Sequence, residues 1–198
     1  KTGVKSEIFK ADVSKQKDIK NLIKNTEKKL GPIDLLVTNA GIATLSKNPL
    51  ELDYDIWKKT MATNVDGTLL PIKEVLPGMI KRKFGRIVCI SSVAGLGLRP
   101  NMITYGTSKA AVIALVRNLS SAVAPHVRIN SVAPGLIETD MAQQLDKKAR
   151  KTIVETTPLK RIGKPQDIAN TVCYLLSEKS DFTTGQTLVT DGGRVPLP

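Results

Sequence analysis

Arg86-Ile87-Val88-Cys89-Ile90-Ser91-Ser92 is a nearly unbroken apolar run that stops on two hydroxyls. A run without alternation is expected of a strand covered on both faces. Downstream, Thr104–Val123 has helical periodicity, with Ala110, Ala111, Ala114 and Ala122 allowing close packing. Strand, polar turn and helix make half of a βαβ unit, and the same alternation extends in both directions. Towards the N-terminus, Ile33–Val37 reads as another buried strand, preceded by a helix over about 15–30. That helix ends on Lys28, Lys29, Gly31 and Pro32, which suit a C-terminal turn and its cap. Glu7–Ala11 reads as a short strand. The stretch 52–80 is helical, with interruptions expected at Gly67, Pro71 and Pro77. Towards the C-terminus come a strand over Val127–Val132, a helix over Gln166–Leu176 and a short strand over Thr187–Val189.

This order predicts an α/β fold, a doubly wound parallel sheet with right-handed connections, in one domain spanning 1–198. Ligands of such sheets bind beyond the carboxyl ends of the strands. Asp12, Asn39-Ala40-Gly41, Ser91-Ser92 and Pro134-Gly135 all fall at such ends.

Composition narrows the function classes. Of 198 residues, 41% are hydrophobic and 24% charged, which is globular and argues against general disorder. No apolar run is long enough for a membrane helix, and the start lacks a signal-peptide pattern. Two cysteines, Cys89 and Cys173, cannot build a disulfide framework or a metal cluster, and both read as core residues. A reducing compartment, cytoplasm or an organelle matrix, is therefore expected, with no metal. The net charge of +12 permits an acidic partner, but most lysines of 15–29 alternate with Ile19, Leu22 and Ile23 and describe a solvated helix face. Three Phe, three Tyr and one Trp leave little for base stacking, so nucleic-acid binding is not expected.

Tyr105 and Lys109 lie four apart at the start of a helix and share one face. At an effective dielectric of about 20, an ammonium ~4 Å from the phenol contributes on the order of 4 kcal/mol, which would lower its pKa by ~2–3. A phenol brought near working pH can exchange a proton with a substrate oxygen. Tyr54 and Lys58 repeat the spacing, but no strand end lies beside them, and they read as surface residues. Ser92 stands at a strand end where its hydroxyl can reach the same oxygen, and Asn64 interrupts a helical stretch where its amide can hold a water or a freed backbone group.

With these residues in place the chain resembles the classical short-chain dehydrogenase/reductase family, above all its 3-oxoacyl-[acyl-carrier-protein] reductases and related carbonyl reductases. The resemblance rests on Asp12-Val13, Asn39-Ala40-Gly41, Asn64, Ser92, Tyr105-Gly106-Thr107-Ser108-Lys109, Asn130, the run Ala133–Met141 and Asp191-Gly192-Gly193. It implies an NAD(P)-dependent oxidoreductase interconverting a carbonyl (ketone or 3-oxoacyl thioester) and a secondary alcohol, with NADP ahead of NAD. By the same resemblance Tyr105 is the general acid, Ser92 polarises the carbonyl, Lys109 lowers the Tyr105 pKa and holds the nicotinamide ribose, and Asn64 anchors a water leading protons to Lys109. Asp12 and Val13 would meet the adenine, Asn39, Ala40 and Gly41 border the adenosine ribose, and Pro134, Gly135, Ile137 and Thr139 flank the nicotinamide. The family is usually a homotetramer or homodimer. Its substrates, small carbonyl compounds or acyl groups on an acyl-carrier protein, would lie under a mobile lid at about 139–163, containing Met141, Leu145, Ile153 and Val154.

The resemblance lacks one part. The family opens with a strand, a Gly-rich turn, a helix and a second strand, and here Gly3 is the only glycine before Gly31, while residue 1 is Lys. The expectation is a Rossmann-type sheet incomplete at the N-terminus, without the first two strands and the helix between them. An alternative is a non-catalytic partner subunit lacking its own cofactor site. Lys81-Arg82-Lys83 and Lys160-Arg161 are candidates for steering an acidic carrier protein.

Overall fold

The computed structural model describes residues 3–45, 48, 50–139 and 147–195. Four strands, β1 (Leu35–Thr38), β2 (Gly85–Ile90), β3 (Val127–Pro134) and β4 (Thr187–Thr190), form one parallel sheet in the order β1-β2-β3-β4. The helices are α1 (Gln16–Leu30), α2 (Tyr54–Met61), α3 (Gly67–Arg82), α4 (Ile103–Val123), α5 (Lys147–Thr156) and α6 (Pro165–Leu176). All strands run the same way, so the ends of β1, β2 and β3 bring Asn39, Ser91 and Gly135 to one edge of the sheet.

The apolar runs of β2 and β3 are divided between two cores by the two-residue period of the strand. Ile87, Cys89, Val127 and Ile129 pack with Ile19 and Ile23 of α1, Ile72, Val75 and Met79 of α3 and Val112 and Val116 of α4. Val88 and Val132 point the other way, onto Leu175, Ile168 and Val172 of α6. Helices on both faces over a parallel sheet make this a doubly wound, Rossmann-like α/β fold, as the alternation of elements predicts.

Several local expectations need correction. Residues 7–11 form no strand; they have no ladder partner among the described residues, and Ile8 is 96% exposed. Strand β1 was expected to be covered on both faces, yet Leu35 and Val37 are exposed, because α6 lies over β2, β3 and β4 and leaves that end of the sheet bare. Pro71 and Pro77 do not break α3, which runs through both. The break falls at Asn64, where the sequence also places an interruption, in a π-helical turn over Ala62–Asp66. Cys89 is buried, but Cys173 is exposed: α6 buries Ile168, Val172 and Leu175, and Cys173 lies off that stripe. Gly31 ends α1 with φ 94°, and its N–H bonds the Glu27 carbonyl.

The sheet end remote from the Ser91–Ser92 turn is tied by arginines. Arg128 donates to the Ser177, Ser180 and Thr183 carbonyls and to Asp181, which also pairs with Arg86. Arg86 also donates to the Leu176 carbonyl at 2.7 Å and Arg128 to the Leu175 carbonyl at 3.4 Å, in the last turn of α6 where carbonyls have no partner within the helix. Arg82 is likewise engaged, by the Ile33 carbonyl and Asp34. Among the described residues no helix is long and apolar enough to cross a membrane.

Candidate active site

At the carboxyl ends of β1, β2 and β3 lies a cavity of about 630 Å³. Its walls include Asn39, Ala40 and Gly41 after β1, Ser91 and Ser92 after β2, and Pro134, Gly135, Leu136, Ile137 and Thr139 from the end of β3 onward. Tyr105 and Lys109 from α4, with Pro165 and Ile168 from α6, complete it. The hydroxyl, phenol and amine that the sequence singled out thus face one space.

Close backbone approach holds them there. Ser92 caps a short 3₁₀ turn, Val93–Gly95, by accepting from the Ala94 N–H at 3.1 Å. That turn lies directly on α4: a Cβ at Gly95 would sit 2.6 Å from the Ala110 nitrogen, and one at Gly106 would sit 2.9 Å from the Ala94 carbonyl oxygen. Glycine at both positions lets the turn bring Ser92 against the first turn of α4. Ser91 points away, its hydroxyl donating to the Val132 carbonyl at 2.8 Å and joining β2 to β3.

Lys109 is buried; its amine donates to the Ile90 carbonyl at 2.8 Å and lies 5.8 Å from the centre of the Tyr105 ring. Burial lowers its pKa to about 8, with the nearby Cys89 acting in the opposite sense. The expected lowering of the Tyr105 pKa is not found. Burial raises it, and the hydrogen bond from Ser92 opposes that rise. Spacing alone suggests a full charge beside a hydrated phenol, whereas here both groups are removed from water, which favours their neutral forms.

Asn64 does not line the cavity. It is fully buried behind Gly41, in the π turn, and accepts from the Ile42 N–H at 2.8 Å while donating to the Ile42 carbonyl at 2.9 Å. A Cβ at Gly41 would lie 3.3 Å from both the Asn64 Oδ1 and the Lys109 Nζ, so these two groups border one spot. Asp12 and Val13 are not brought to this cavity. Asp12 is an exposed turn residue whose carboxylate accepts from the Ser14 N–H and hydroxyl, which hold its pKa below the usual range. Val13 packs against Gly67 at the start of α3. Tyr54 is 70% exposed, with Lys58 engaged by Asp55, as expected of a surface pair.

Sequence reasoning missed Ser108, which joins Asn64 to the Tyr105 backbone, and the Ile137–Gly163 bridge that joins the segment after β3 to the start of α6. Of the expected lid, Met141 and Leu145 lie outside the described residues; Ile153 and Val154 belong to α5. Asn130 and Asp191 are backbone anchors. Asn130 receives the Gln186 N–H and donates to the Thr183 carbonyl, and Asp191 receives the Gly193 and Val195 N–H groups. Among the described residues no group of three or more His, Cys, Asp or Glu is placed to hold a metal ion.

A doubly wound sheet with a cavity at its strand ends, lined by a tyrosine, a lysine and a serine, places proton-exchanging groups where ligands of such sheets bind, as the resemblance implies. The comparisons with known proteins agree. A family model described as enoyl-(acyl carrier protein) reductase matches residues 1–194. The 3-oxoacyl-[acyl-carrier-protein] reductase FabG of Thermotoga maritima is 37% identical over 185 residues, 93% of this chain and 75% of that protein. Dehydrogenase/reductase SDR family member 4 of Rattus norvegicus is 38% identical over 184 residues, 91% of this chain and 66% of that protein. Among solved structures, ElxO with NADP bound matches with a TM-score of 0.89 at 33% identity, covering 95% of this chain and 77% of that one. A 7α-hydroxysteroid dehydrogenase complexed with NADH and 7-oxo glycochenodeoxycholic acid matches with a TM-score of 0.89 at 32% identity, covering 92% and 72%. The chain belongs to the short-chain dehydrogenase/reductase family of oxidoreductases. It spans about two thirds to three quarters of the length of these relatives.

Proposed function

We propose that the chain serves an NAD(P)-dependent reductase that converts a ketone or 3-oxoacyl thioester to the secondary alcohol, with Tyr105 as the proton donor. The observation that carries this reading is the convergence of Ser92, Tyr105 and Lys109 on one cavity at the carboxyl ends of parallel strands. The residues lining the cavity fit the nicotinamide and ribose parts of a dinucleotide. Lys109 would offer an amine to the ribose, Pro134, Gly135, Ile137 and Thr139 a wall for the nicotinamide, and Asn39, Ala40 and Gly41 a border for the adenosine ribose, whereas Asp12 and Val13, expected at the adenine, lie outside it. When bound, the reduced nicotinamide supplies hydride to the carbonyl carbon.

The remaining steps belong to this chain. Ser92 donates a hydrogen bond to the carbonyl oxygen, and the Tyr105 O–H transfers its proton there as negative charge develops. A phenol whose pKa is raised by burial is protonated at neutral pH, which suits reduction rather than oxidation. An amine titrating near 8 is largely cationic at neutral pH and can return a proton to the phenolate. Relatives named 3-oxoacyl-[acyl-carrier-protein] reductase support an acyl thioester substrate. Lys81-Arg82-Lys83 is badly placed to steer the carrier, because that cluster lies at the start of β2, the far end of the sheet, and Arg82 is already paired. Arg161 is held by Asp167, and the Lys160 amine by the Glu155 carbonyl. A homodimer or homotetramer is the proposed assembly, checked by sedimentation.

The test is Tyr105→Phe, assayed by loss of nicotinamide absorbance with an acetoacetyl thioester. Turnover should fall about 10²–10⁴-fold. Coenzyme affinity, read by nicotinamide fluorescence, should stay the same. Retained turnover would remove the mechanism.

A further inference from the structure

The Asn64 amide has a hydrogen-bonding pattern that leaves no freedom to flip. Its Oδ1 accepts from the Ile42 N–H at 2.8 Å, and its Nδ2 donates to the Ile42 carbonyl at 2.9 Å and to the Ser108 hydroxyl at 2.9 Å. Ser108 is itself fully buried, and its O–H donates to the Tyr105 carbonyl at 2.7 Å. With that proton committed, the Ser108 oxygen can only accept from Asn64, so the chain of bonds has one direction: Asn64 to Ser108 to Tyr105. It ends on the backbone of the residue bearing the phenol, and Ser108 itself stands one position before the lysine. The π turn that carries Asn64 is held in turn by Thr68, whose hydroxyl donates to the Asn64 carbonyl at 2.8 Å.

We infer that Ser108 is a positioning residue, the side-chain link that fixes the Asn64 amide to the first turn of α4 and so sets Asn64, Tyr105 and Lys109 in mutual register. A serine inside a helix often bonds back to a carbonyl three or four residues earlier, and that alone carries no function. Here the same hydroxyl also receives a buried amide from another element, so removing it leaves one Asn64 N–H without a partner in a site closed to water. The Asn64 Oδ1 and the Lys109 amine border the same spot beside Gly41, each 3.3 Å from where a Gly41 Cβ would stand. An amide released from Ser108 loses one of the three bonds that hold it beside that spot. The proposal rests on the reductase reading only for its kinetic consequence, since the bond chain itself can be observed without turnover.

Two measurements test it. In ¹H–¹⁵N spectra with selectively labelled asparagine, both Asn64 Nδ2 protons should be protected from exchange. Ser108→Ala should expose one of them and move its resonance, while Ser108→Thr, which keeps the hydroxyl, should restore the original pattern. In turnover, Ser108→Ala should lower kcat about 10-fold with the coenzyme KM unchanged. The double variant Asn64→Ala/Ser108→Ala should be no slower than Asn64→Ala alone. Unchanged Asn64 resonances in Ser108→Ala, or losses that multiply in the double variant, would overturn the inference. If Ser108→Ala does not fold, Ser108→Cys, with its weaker donor and acceptor, carries both comparisons. Retained turnover in Tyr105→Phe would refute the reductase reading, and the Asn64 resonances would then decide the role of Ser108 by themselves.

Discussion

Replacing Gly106 by alanine separates the fit of the active-site turn from the stability of the helix beneath it. The new Cβ would lie 2.9 Å from the Ala94 carbonyl oxygen, where ordinary contact begins at 3.4 Å, so the 3₁₀ turn must retreat by about 0.5 Å. Ser92 caps that turn and moves with it. If misplacing a reacting group by 1 Å costs about 10²-fold, 0.5 Å costs about 10-fold in kcat. Stability moves less, because two terms oppose. Overpacking costs about 1–3 kcal/mol, and alanine in place of glycine within a helix returns about 1 kcal/mol. The net loss of about 0–2 kcal/mol lowers the melting temperature by at most ~8 °C for a chain of this size. Steady-state reduction of a 3-oxoacyl thioester gives the first quantity and thermal unfolding the second. A Gly106→Ala enzyme with kcat within twofold of wild type would refute the claim that the Ala94–Gly106 approach sets the position of Ser92.

Charges at the two ends of the sheet set two further outcomes. The folded chain releases the Lys109 proton near pH 8, whereas the unfolded chain keeps it to about 10.5. The unfolded state therefore binds more protons in between, and stability should rise across pH 8–9 by on the order of 1 kcal/mol. Above pH 9 the buried Cys89 thiol, pushed up to about 11, keeps a proton that the unfolded chain releases and offsets the further rise. Urea unfolding should show that rise in wild type and lose it in Lys109→Met; the Tyr105 phenol acts with the opposite sign only above its ordinary value near 10. At the other end, Asp181→Ala leaves Arg86 and Arg128, both largely buried, facing each other without their shared carboxylate. Asp181 is itself well exposed, so a loss of about 1–2 kcal/mol is expected rather than the larger cost of a fully buried pair, read as a lower melting temperature.

The parallel sheet was legible because Ile87–Ile90 and its companion runs carry hydrophobicity without alternation, and their polar ends mark one edge. The cavity was legible for the same reason, since Asn39, Ser92 and Gly135 each follow such a run. The sign of the Tyr105 shift was not, because spacing tells how near Lys109 lies but not how far both groups are removed from water. The error at 7–11 has a similar origin: an extended segment becomes a strand only when another strand pairs with it. The π turn at Asn64 depends on contacts with Ile42, more than twenty residues away in sequence, and Ser108 looks like any helix serine until Asn64 is seen to reach it. Pro71 and Pro77 suggested breaks that a long, well-packed helix absorbs.

The pairing of Ile137 with Gly163, with the Glu138 N–H on the Gly163 carbonyl and the Gly163 N–H on the Leu136 carbonyl, makes the chain leave and rejoin the scaffold at one place. The segment between those two points is a cassette whose ends are held together and whose described part docks again through the Leu159 N–H on the Gly192 carbonyl. Closing a longer or shorter one changes the entropy only slowly with length. Evolution or a protein engineer can therefore exchange that cassette to admit a different molecule, while the phenol, amine and hydroxyl below stay as they are.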